Sequence, residues 1–489
     1  KTVEGNKRPD AGRTETGKPL ADGWFEVRAL YDIVQPRTDI PDALLMSAWN
    51  AIAHAAGSAA EGSDSAEELA RFPGLTEMIL GALNPRLRPL PVADPEAEKA
   101  FARMPSWSSP APRIEAAAAL MALARAEGSP REDFAELIER LSRDPSPAVR
   151  HQILGRVNML FGANQPLMWR LVEVGFSQEA NEGVLSFFLP AIGGVLGQRP
   201  EWFAEKLLAL DDRWASGSEP DDRRDEFLAH IVQLILRLWL VYDQRLAGER
   251  IRQWTNDPLQ HGKRIEDALP ALRGAILQGD PARLEPSDEQ VRARTIEIFQ
   301  ATVLALTPIV VDSADRWQRL SETERGRAEK ALRIVDGAAR EIYFGSGAYG
   351  ARNRQTDDEN PVAGTPELRS RLLREMKPTL TALAQVPYPS VTHHLLETLE
   401  AFIADDPTAI FCLVTDALIS GGRAGGYQLE SLGSDLFVRI VRRYLADFRS
   451  VIASDEDLRQ RLMSALDIFV EAGWPEARRL VYDLPEMLR

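Results

Sequence analysis

A helix-start signal that recurs along the chain constrains its fold more than any other feature. The segment SRDPSPAVRHQILGRVNML, residues Ser142–Leu160, has a turn and a helix start at its Asp-Pro-Ser-Pro. Apolar residues then follow at helical spacing, namely Val149, Ile153, Leu154, Val157 and Leu160. Similar starts return at Glu285–Phe299 and, in a more divergent form, at Tyr388–Phe402. If each start opens one helical hairpin, the chain is a stack of hairpins.

Helical patterns also fill the sequence between these starts. Ser321 and Glu324 have the spacing of a capping box and open an amphipathic helix, and Ser454–Ala472 repeats this pattern. Further helices restart at Pro166, Pro200 and Pro407, since proline at the first helical position loses no hydrogen bond. The short run Thr307–Asp312 fits either a strand or a buried helix.

The Asp-Pro-Ser-x-x-Val-Arg opening resembles that of HEAT repeats, whose units of about 40–47 residues stack into a superhelix. The resemblance implies an all-α fold, an irregular HEAT-like α-solenoid of stacked helical hairpins. It also implies a structural role for Arg150, as the arginine that pairs with an acid of the neighbouring repeat. An arginine that contacts phosphate at a helix N-terminus stays open as the alternative.

Composition and helix pattern suggest five regions. We expect a mobile lead-in over residues 1–20, an N-terminal helical region over 21–110, HEAT-like repeats over 111–345, a polar loop over 346–366 and C-terminal repeats over 367–489. The stretch around Ala351–Thr365 should be mobile like the lead-in, because both are polar and lack an apolar period.

Charge and cysteine content restrict the possible partners and location. The net charge of −15 disfavours broad attraction to nucleic acid. One cysteine, Cys412, excludes internal disulfides and fits a reducing cytoplasm, and its apolar neighbours predict a buried, inert thiol. The longest uncharged apolar run, Val184–Gly197, is too short for a bilayer and contains Pro190, so we expect no membrane span.

Motifs that would carry chemistry fail on their context. Gly345, Gly347 and Gly350 have dinucleotide-binding spacing, but a helix rather than a strand precedes them. GGRAGG, residues Gly421–Gly426, lacks the lysine of a phosphate-binding loop, and the six histidines form no metal-ligand pair. We therefore predict no catalytic residue, no cofactor and no metal for the chain as given, although an enzyme with a dispersed site stays open.

The C-terminal third carries a second resemblance. Its segments SVTHHLLETLEAFIADDPTAIFCLVTDAL, GGRAGGYQLESLGSDLFVRIVRRYLADFR and DIFVEAGWPEARRLVYDL resemble the terminal helical part of large bacterial ATP-binding proteins of the STAND signalling type, many of them linked to phage defence. Such proteins end in a repeat array that detects a trigger. The resemblance implies that this chain is the sensing part of a bacterial signalling or antiphage system, without the ATPase, because it has no Walker lysine.

These observations favour a non-catalytic scaffold that recognises a protein partner, in an oligomeric state that the sequence leaves open. The runner-up is a nucleic-acid-binding repeat protein whose basic faces carry Arg439, Arg442, Arg443 and Arg449.

Two residues of the glycine-rich segment are candidate partner contacts. Arg423 and Tyr427 are of the types favoured at binding hot spots, and the loop around them looks longer than two packed helices need. The alternative is that Tyr427 packs on the array and Arg423 is only solvated.

Overall fold

The computed structural model describes residues 23–37, 39–83, 94–106, 112–128, 132–215, 222–277, 286–353 and 365–487, and all regular structure in these ranges is helical. The chain divides into two compact units, Lys1–Leu234 and Ile235–Arg489. This division falls inside the region 111–345 that the sequence analysis treated as one run of repeats. Residues 1–20, and 354–364 of the predicted polar loop, lie outside the described residues.

The first unit contains eleven described helices and the start of a twelfth. They are α1 (Trp24–Val34), α2 (Asp42–Glu61), α3 (Ala66–Leu69), α4 (Leu75–Ala82), α5 (Pro95–Arg103), α6 (Pro112–Ala126), α7 (Glu132–Leu141), α8 (Pro147–Leu154), α9 (Gln165–Ser177), α10 (Glu182–Gly193), α11 (Pro200–Ala215) and α12 (Asp222–Leu240).

Helices of the first unit alternate between two layers. In one layer α2 packs on α6, α6 on α8 and α8 on α10, while α7 packs on α9 in the other, and α7–α8 and α9–α10 form hairpins across the layers. Small residues let α2 and α6 approach closely: Ala56, Ala60, Ala116 and Ala119 are all completely buried.

The second unit contains the remaining described helices. They are α13 (Arg245–Asn256), α14 (Gly262–Leu272), α15 (Pro286–Ala314), α16 (Glu322–Gly345), α17 (Ala348–Asn353), α18 (Pro366–Leu383), α19 (Pro389–Ala401), α20 (Pro407–Asp416), α21 (Ser431–Asp447), α22 (Arg449–Ala453), α23 (Glu456–Glu471) and α24 (Pro475–Met487). Helix α15 packs on α13 and α18, and α16 packs on α14 and α19, so hairpins again stack in two layers. The fold is therefore all-α, built from stacked helical hairpins as in an irregular HEAT-like solenoid.

Most helix starts agree with the sequence. The capping box at Ser321 and Glu324 is present, and α9, α11 and α20 begin at or beside Pro166, Pro200 and Pro407. One start was wrong: Asp455 rather than Ser454 caps α23, because its carboxylate accepts from the backbone amides of Asp457 and Leu458. The ambiguous run Thr307–Asp312 is helical and lies inside α15.

Helix α15 is long and apolar enough to cross a membrane. Residues Asp288–Ala314 reach a mean hydropathy of 1.4, and half of the apolar window is buried inside the protein. Charged residues such as Glu297 interrupt this segment, so it is not among the uncharged apolar runs of the sequence. Burial against neighbouring helices is what a core helix shows, and the absence of a membrane span stays a prediction.

Val149 and His151 lie on α8, in the core of the first unit. Val149 is 1% exposed, as the repeat pattern predicts, and His151 is also buried, at 6% exposed. The imidazole packs edge-on against Phe187 at 4.4 Å between ring centroids. Burial, reinforced by the charge of Arg156, lowers the pKa of His151 from 6.5 to about 4.

This shift predicts that His151 makes the first unit less stable in mild acid. The unfolded chain binds a proton near pH 6.5 and the folded chain only near pH 4, so stability falls as pH drops through that window. Between pH 7 and pH 5 His151 should account for a loss of about 2 kcal/mol in unfolding free energy. In urea titrations, His151→Gln should remove that part of the pH dependence.

The control is Asn158→Gln, a conservative change at an exposed position after α8. This variant changes no ionisable group and should keep the wild-type pH dependence. An unchanged slope in His151→Gln would contradict the burial of a neutral imidazole on α8.

Candidate interaction site

Arg150 is the centre of a buried ion network at the ends of three helices. Its Nε donates to Oε2 of Glu179 at 2.8 Å, and its Nη1 donates to Oε1 of Glu98 at 2.9 Å and to the carbonyl of Asp144 at 3.0 Å. Its Nη2 donates to Oε2 of Glu98 and Oε1 of Glu179, both at 3.1 Å. These five bonds use every donor of a guanidinium group.

The network confirms the structural role that the HEAT resemblance implies for Arg150. Glu179 belongs to the turn before α10, the next helix of the layer, so the arginine joins neighbouring hairpins. No donor is left for a phosphate, which argues against the phosphate-contacting alternative. Burial alone would lower the pKa of Arg150, but the bonds to Glu179 and Glu98 outweigh it and raise the pKa, so the group stays charged.

The two carboxylates are also saturated by protein donors. Oε1 of Glu179 accepts from the backbone amides of Ala180 and Asn181 at 3.0 and 2.8 Å. The side-chain amide of Asn181 donates to Oε2 of Glu98 at 2.6 Å, while its oxygen caps α10 by accepting from the amide of Gly183 at 3.0 Å. The turn before α10 is therefore fixed by side chains of α5 and α8.

Glycine at position 183 allows α5 and α10 to meet at this point. A side chain there would place its Cβ 2.4 Å from the carbonyl oxygen of Phe101, on α5. Sequence reasoning did not find Glu98 as a partner of Arg150, because the two residues are far apart in the sequence and α5 shows no repeat motif. Gly183, the second residue of an apolar helix, is the signal that could have indicated a close approach.

An open cleft of about 820 Å³ lies above the network. We call it the Arg150 cleft. Its floor is formed by Arg150, Glu98, Glu179 and Asn181, and its rim by the exposed residues Lys99, Arg103, Arg143 and Gln178, with Trp214 of α11 also in the lining. The volume lies in the range of ligand-binding clefts.

The second unit also has a buried arginine, at the position of its helix start that corresponds to Arg150. Arg292 follows Val291 in the second helix-start copy, its side chain is 1% exposed, and it pairs with Glu375 of α18. The pKa of Glu375 is lowered because the bonds from Arg292 and Arg371 outweigh its burial. Glu375 therefore joins an arginine of α15 to an arginine of its own helix, α18, which is a structural role.

The structure places Tyr427, one of the two predicted contact residues, in the core of the second unit. The residue is 1% exposed, and its hydroxyl lies 3.0 Å from Nδ1 of His393. A side chain at Gly433 would place its Cβ 2.8 Å from the ring. This placement matches the packing alternative, and in this conformation the ring is not accessible to a partner.

Arg423, the other predicted contact residue, lies on the surface. Its Nη2 is 3.1 Å from Oε2 of Glu471, and the two side chains are 61% and 64% exposed. An exposed pair of this kind contributes little to stability. A role of Arg423 in partner binding stays a prediction.

The glycine-rich segment around these residues is not an open loop. Helix α20 continues through a π-helical turn, Ala417–Gly422, and a single turn, Arg423–Gly425. A Cβ at Gly421 would lie 2.7 Å from the carbonyl oxygen of Val386, and one at Gly425 would lie 2.6 Å from the backbone of Pro387. The glycines therefore allow this backbone to pack against the turn before α19, which explains a segment that looked too long in the sequence.

Most of the other candidate functional residues have structural contacts within the protein. Arg439 makes two bonds to the carboxylate of Glu400, and Arg443 donates to the carbonyl of Glu400, so two of the four arginines proposed for nucleic-acid binding are engaged. Cys412 is half-buried rather than fully buried as its apolar neighbours predicted, and this partial burial raises the pKa of its thiol. The cytoplasmic location stays a prediction. Within the described ranges, no three His, Cys, Asp or Glu side chains are grouped to hold a metal.

Comparison with known proteins gives loose structural similarities only. No protein-family model and no curated protein matches the chain. The crystal structure of Kap121p bound to Pho4p is 13% identical with a TM-score of 0.35, over 94% of this chain and 51% of that chain. The crystal structure of Kap121p is 11% identical with a TM-score of 0.36, over 96% and 55%.

A homology model of the full-length AP-3 complex in an intermediate open conformation is 11% identical with a TM-score of 0.19, over 97% of this chain and 92% of that chain. The chain spans about half the length of the Kap121p chains it matches. The fold assignment therefore rests on the helix packing described above.

The Arg150 network predicts a large penalty for removing the arginine alone. Arg150→Met should lower the unfolding free energy of the first unit by about 3–5 kcal/mol, because it leaves Glu179, whose side chain is 2% exposed, without its counter-charge. Adding Glu98→Gln and Glu179→Gln should recover most of this loss, since the neutral amides leave no buried charge. Urea unfolding followed by tryptophan fluorescence measures both effects.

The matched control is Arg140→Met on the exposed side of α7, which should cost less than about 0.5 kcal/mol. Equal stabilities of Arg150→Met and the control would refute the network as a buried structural element.

Proposed function

We propose that the chain is a non-catalytic helical-repeat scaffold that binds a protein partner in the Arg150 cleft. The single observation that carries this proposal is the cleft itself, about 820 Å³ of open space bounded by the ends of stacked helices. Stacked helical hairpins commonly bind partners along the surfaces that their helix ends and faces create. Binding residues in such proteins often lie on turns that a rigid scaffold positions.

The rigidity of the cleft supports a recognition role. Arg150, Glu98, Glu179 and Asn181 are mutually bonded, and two backbone amides of the turn before α10 are held by the same carboxylate. A partner that binds there meets side chains that are already ordered. The entropy cost of ordering the site on binding is therefore small.

The chemistry of the cleft also fits a protein better than a small reactive substrate. The carboxylates of Glu98, Asp144 and Glu179 carry ion pairs or backbone bonds, so they are poorly placed to act as a general acid or base. Its rim offers arginine side chains and the indole of Trp214, and Arg and Trp are enriched where proteins bind one another.

A site-specific photo-crosslinker tests this proposal. Lys99 lines the cleft and is exposed, and its pair with Glu96 is a surface contact, so a photo-reactive residue at position 99 should be tolerated. Irradiation of source cells that express this variant should give a discrete protein adduct, read by mass spectrometry.

The control places the same photo-reactive residue at position 329, an exposed site on α16 of the second unit. It should give no adduct of that mass. The proposal fails if position 99 gives no adduct, or if both positions give the same one.

The narrower role, sensing a trigger in a bacterial signalling or antiphage system, rests on the sequence resemblance of the C-terminal third alone. The C-terminal third belongs to the second unit, whereas the cleft lies in the first unit, so this role does not depend on the cleft. Phage plating on bacteria with and without the intact gene tests it, and equal plating efficiency would contradict it.

A further inference from the structure

We infer that the Arg150 cleft takes an acidic, extended segment of the partner, bound through Arg103 and Arg143. This inference rests on the proposed function and names the chemistry that the site would recognise. It is carried by an imbalance between the floor of the cleft, where the charges are paired, and the rim, where two guanidinium groups have no carboxylate partner among the described residues.

The floor of the cleft has almost no carboxylate oxygen available to a cationic ligand. Both carboxylates, Glu98 and Glu179, accept from Arg150 and also from Asn181. The carboxylate of Asp144 pairs with Arg113 and accepts from the backbone amide of Ser146 at 2.9 Å. An incoming lysine or arginine would compete with these bonds.

The rim offers free donors. Arg103, at the end of α5, is exposed and makes no ion pair or hydrogen bond with any described residue. Arg143, in the turn after α7, is also exposed, and within the described part of the chain it donates only to neutral acceptors, the side chain of Gln178 at 3.0 Å and the carbonyl of Glu139 at 3.0 Å. A guanidinium group binds a carboxylate through two parallel bonds, so each arginine can accept one acidic side chain.

The other charges of the cleft do not cancel this preference. Lys99 is already paired with Glu96 at 2.9 Å. Glu182 stands in the first turn of α10, where the helix dipole favours its negative charge. The two rim arginines therefore remain the cations available to a ligand.

An apolar surface accompanies these arginines. Trp214 lines the cleft and is half-buried, with its ring edge-on to Phe227 at 5.3 Å between centroids. An acidic segment that also carries an apolar side chain could pair with the arginines and cover the indole.

Nucleic acid fits the same cleft poorly. Two rim arginines beside the partly exposed carboxylate of Glu98 make a short, mixed surface, whereas a phosphate backbone is bound by a continuous basic face. The net charge of −15 adds repulsion at a distance for any long polyanion. A short protein segment with a few carboxylates avoids most of that repulsion.

The probe is a fluorescein-labelled peptide of alternating glutamate and leucine, and the readout is fluorescence anisotropy with the full chain. We expect saturable binding that weakens with added salt, and no binding of the matched lysine-leucine peptide. Arg103→Ala combined with Arg143→Ala should weaken the affinity by about tenfold or more, because both charge-assisted contacts are lost.

The matched control is Arg442→Ala combined with Arg449→Ala, two exposed arginines of the second unit without a described ion pair. It should leave the affinity unchanged, and both double variants should melt at the wild-type temperature. Failure of the acidic peptide to bind, preference for the basic peptide, or equal loss in both double variants would overturn the inference. A discrete adduct from position 99 together with any of these results would leave the proposed function standing and remove only the acidic ligand.

Discussion

The helix arrangement of the first unit depends on one arginine, which uses all its hydrogen-bond donors within its own chain. Arg150 binds two carboxylates and one carbonyl, and through Glu179 and Asn181 it fixes the turn from which α10 begins. A buried charge is costly unless it is fully paired, so this geometry tolerates little movement of α5, α8 or α10. The cleft above these residues has a defined shape because its floor is held in this way.

The second unit contains a similar buried ion pair, between Arg292 and Glu375. Buried ion pairs add little net stability compared with apolar packing, and their best-supported role is to specify one arrangement among several. In a stack of similar hairpins many registers would bury the same apolar area. A buried arginine can pair with its carboxylates in only one of these registers, so it favours that register over the others. We infer this role for both pairs.

Much of the fold followed from local signals in the sequence. Proline restarts, the capping box at Ser321 and the apolar period predicted the helices, and the resemblance of the Asp-Pro-Ser-x-x-Val-Arg opening to HEAT repeats implied the pairing of Arg150. The cleft could not be predicted, since Glu98 reaches it from a helix without any repeat motif. The glycine-rich segment was misread for a related reason: Gly421 and Gly425 serve a close backbone contact with residues more than thirty positions earlier, which a local pattern does not show.

Hydrogen exchange of the turn before α10 tests the central claim most directly. Turn amides on a protein surface normally exchange fast, but here the amides of Ala180 and Asn181 donate to Glu179, which Arg150 holds in place. Mass spectrometry on short peptides should find these amides as protected as those of α10 itself in the wild type, and exposed in Arg150→Met. Fast exchange at residues 180 and 181 in the wild-type protein would contradict the account.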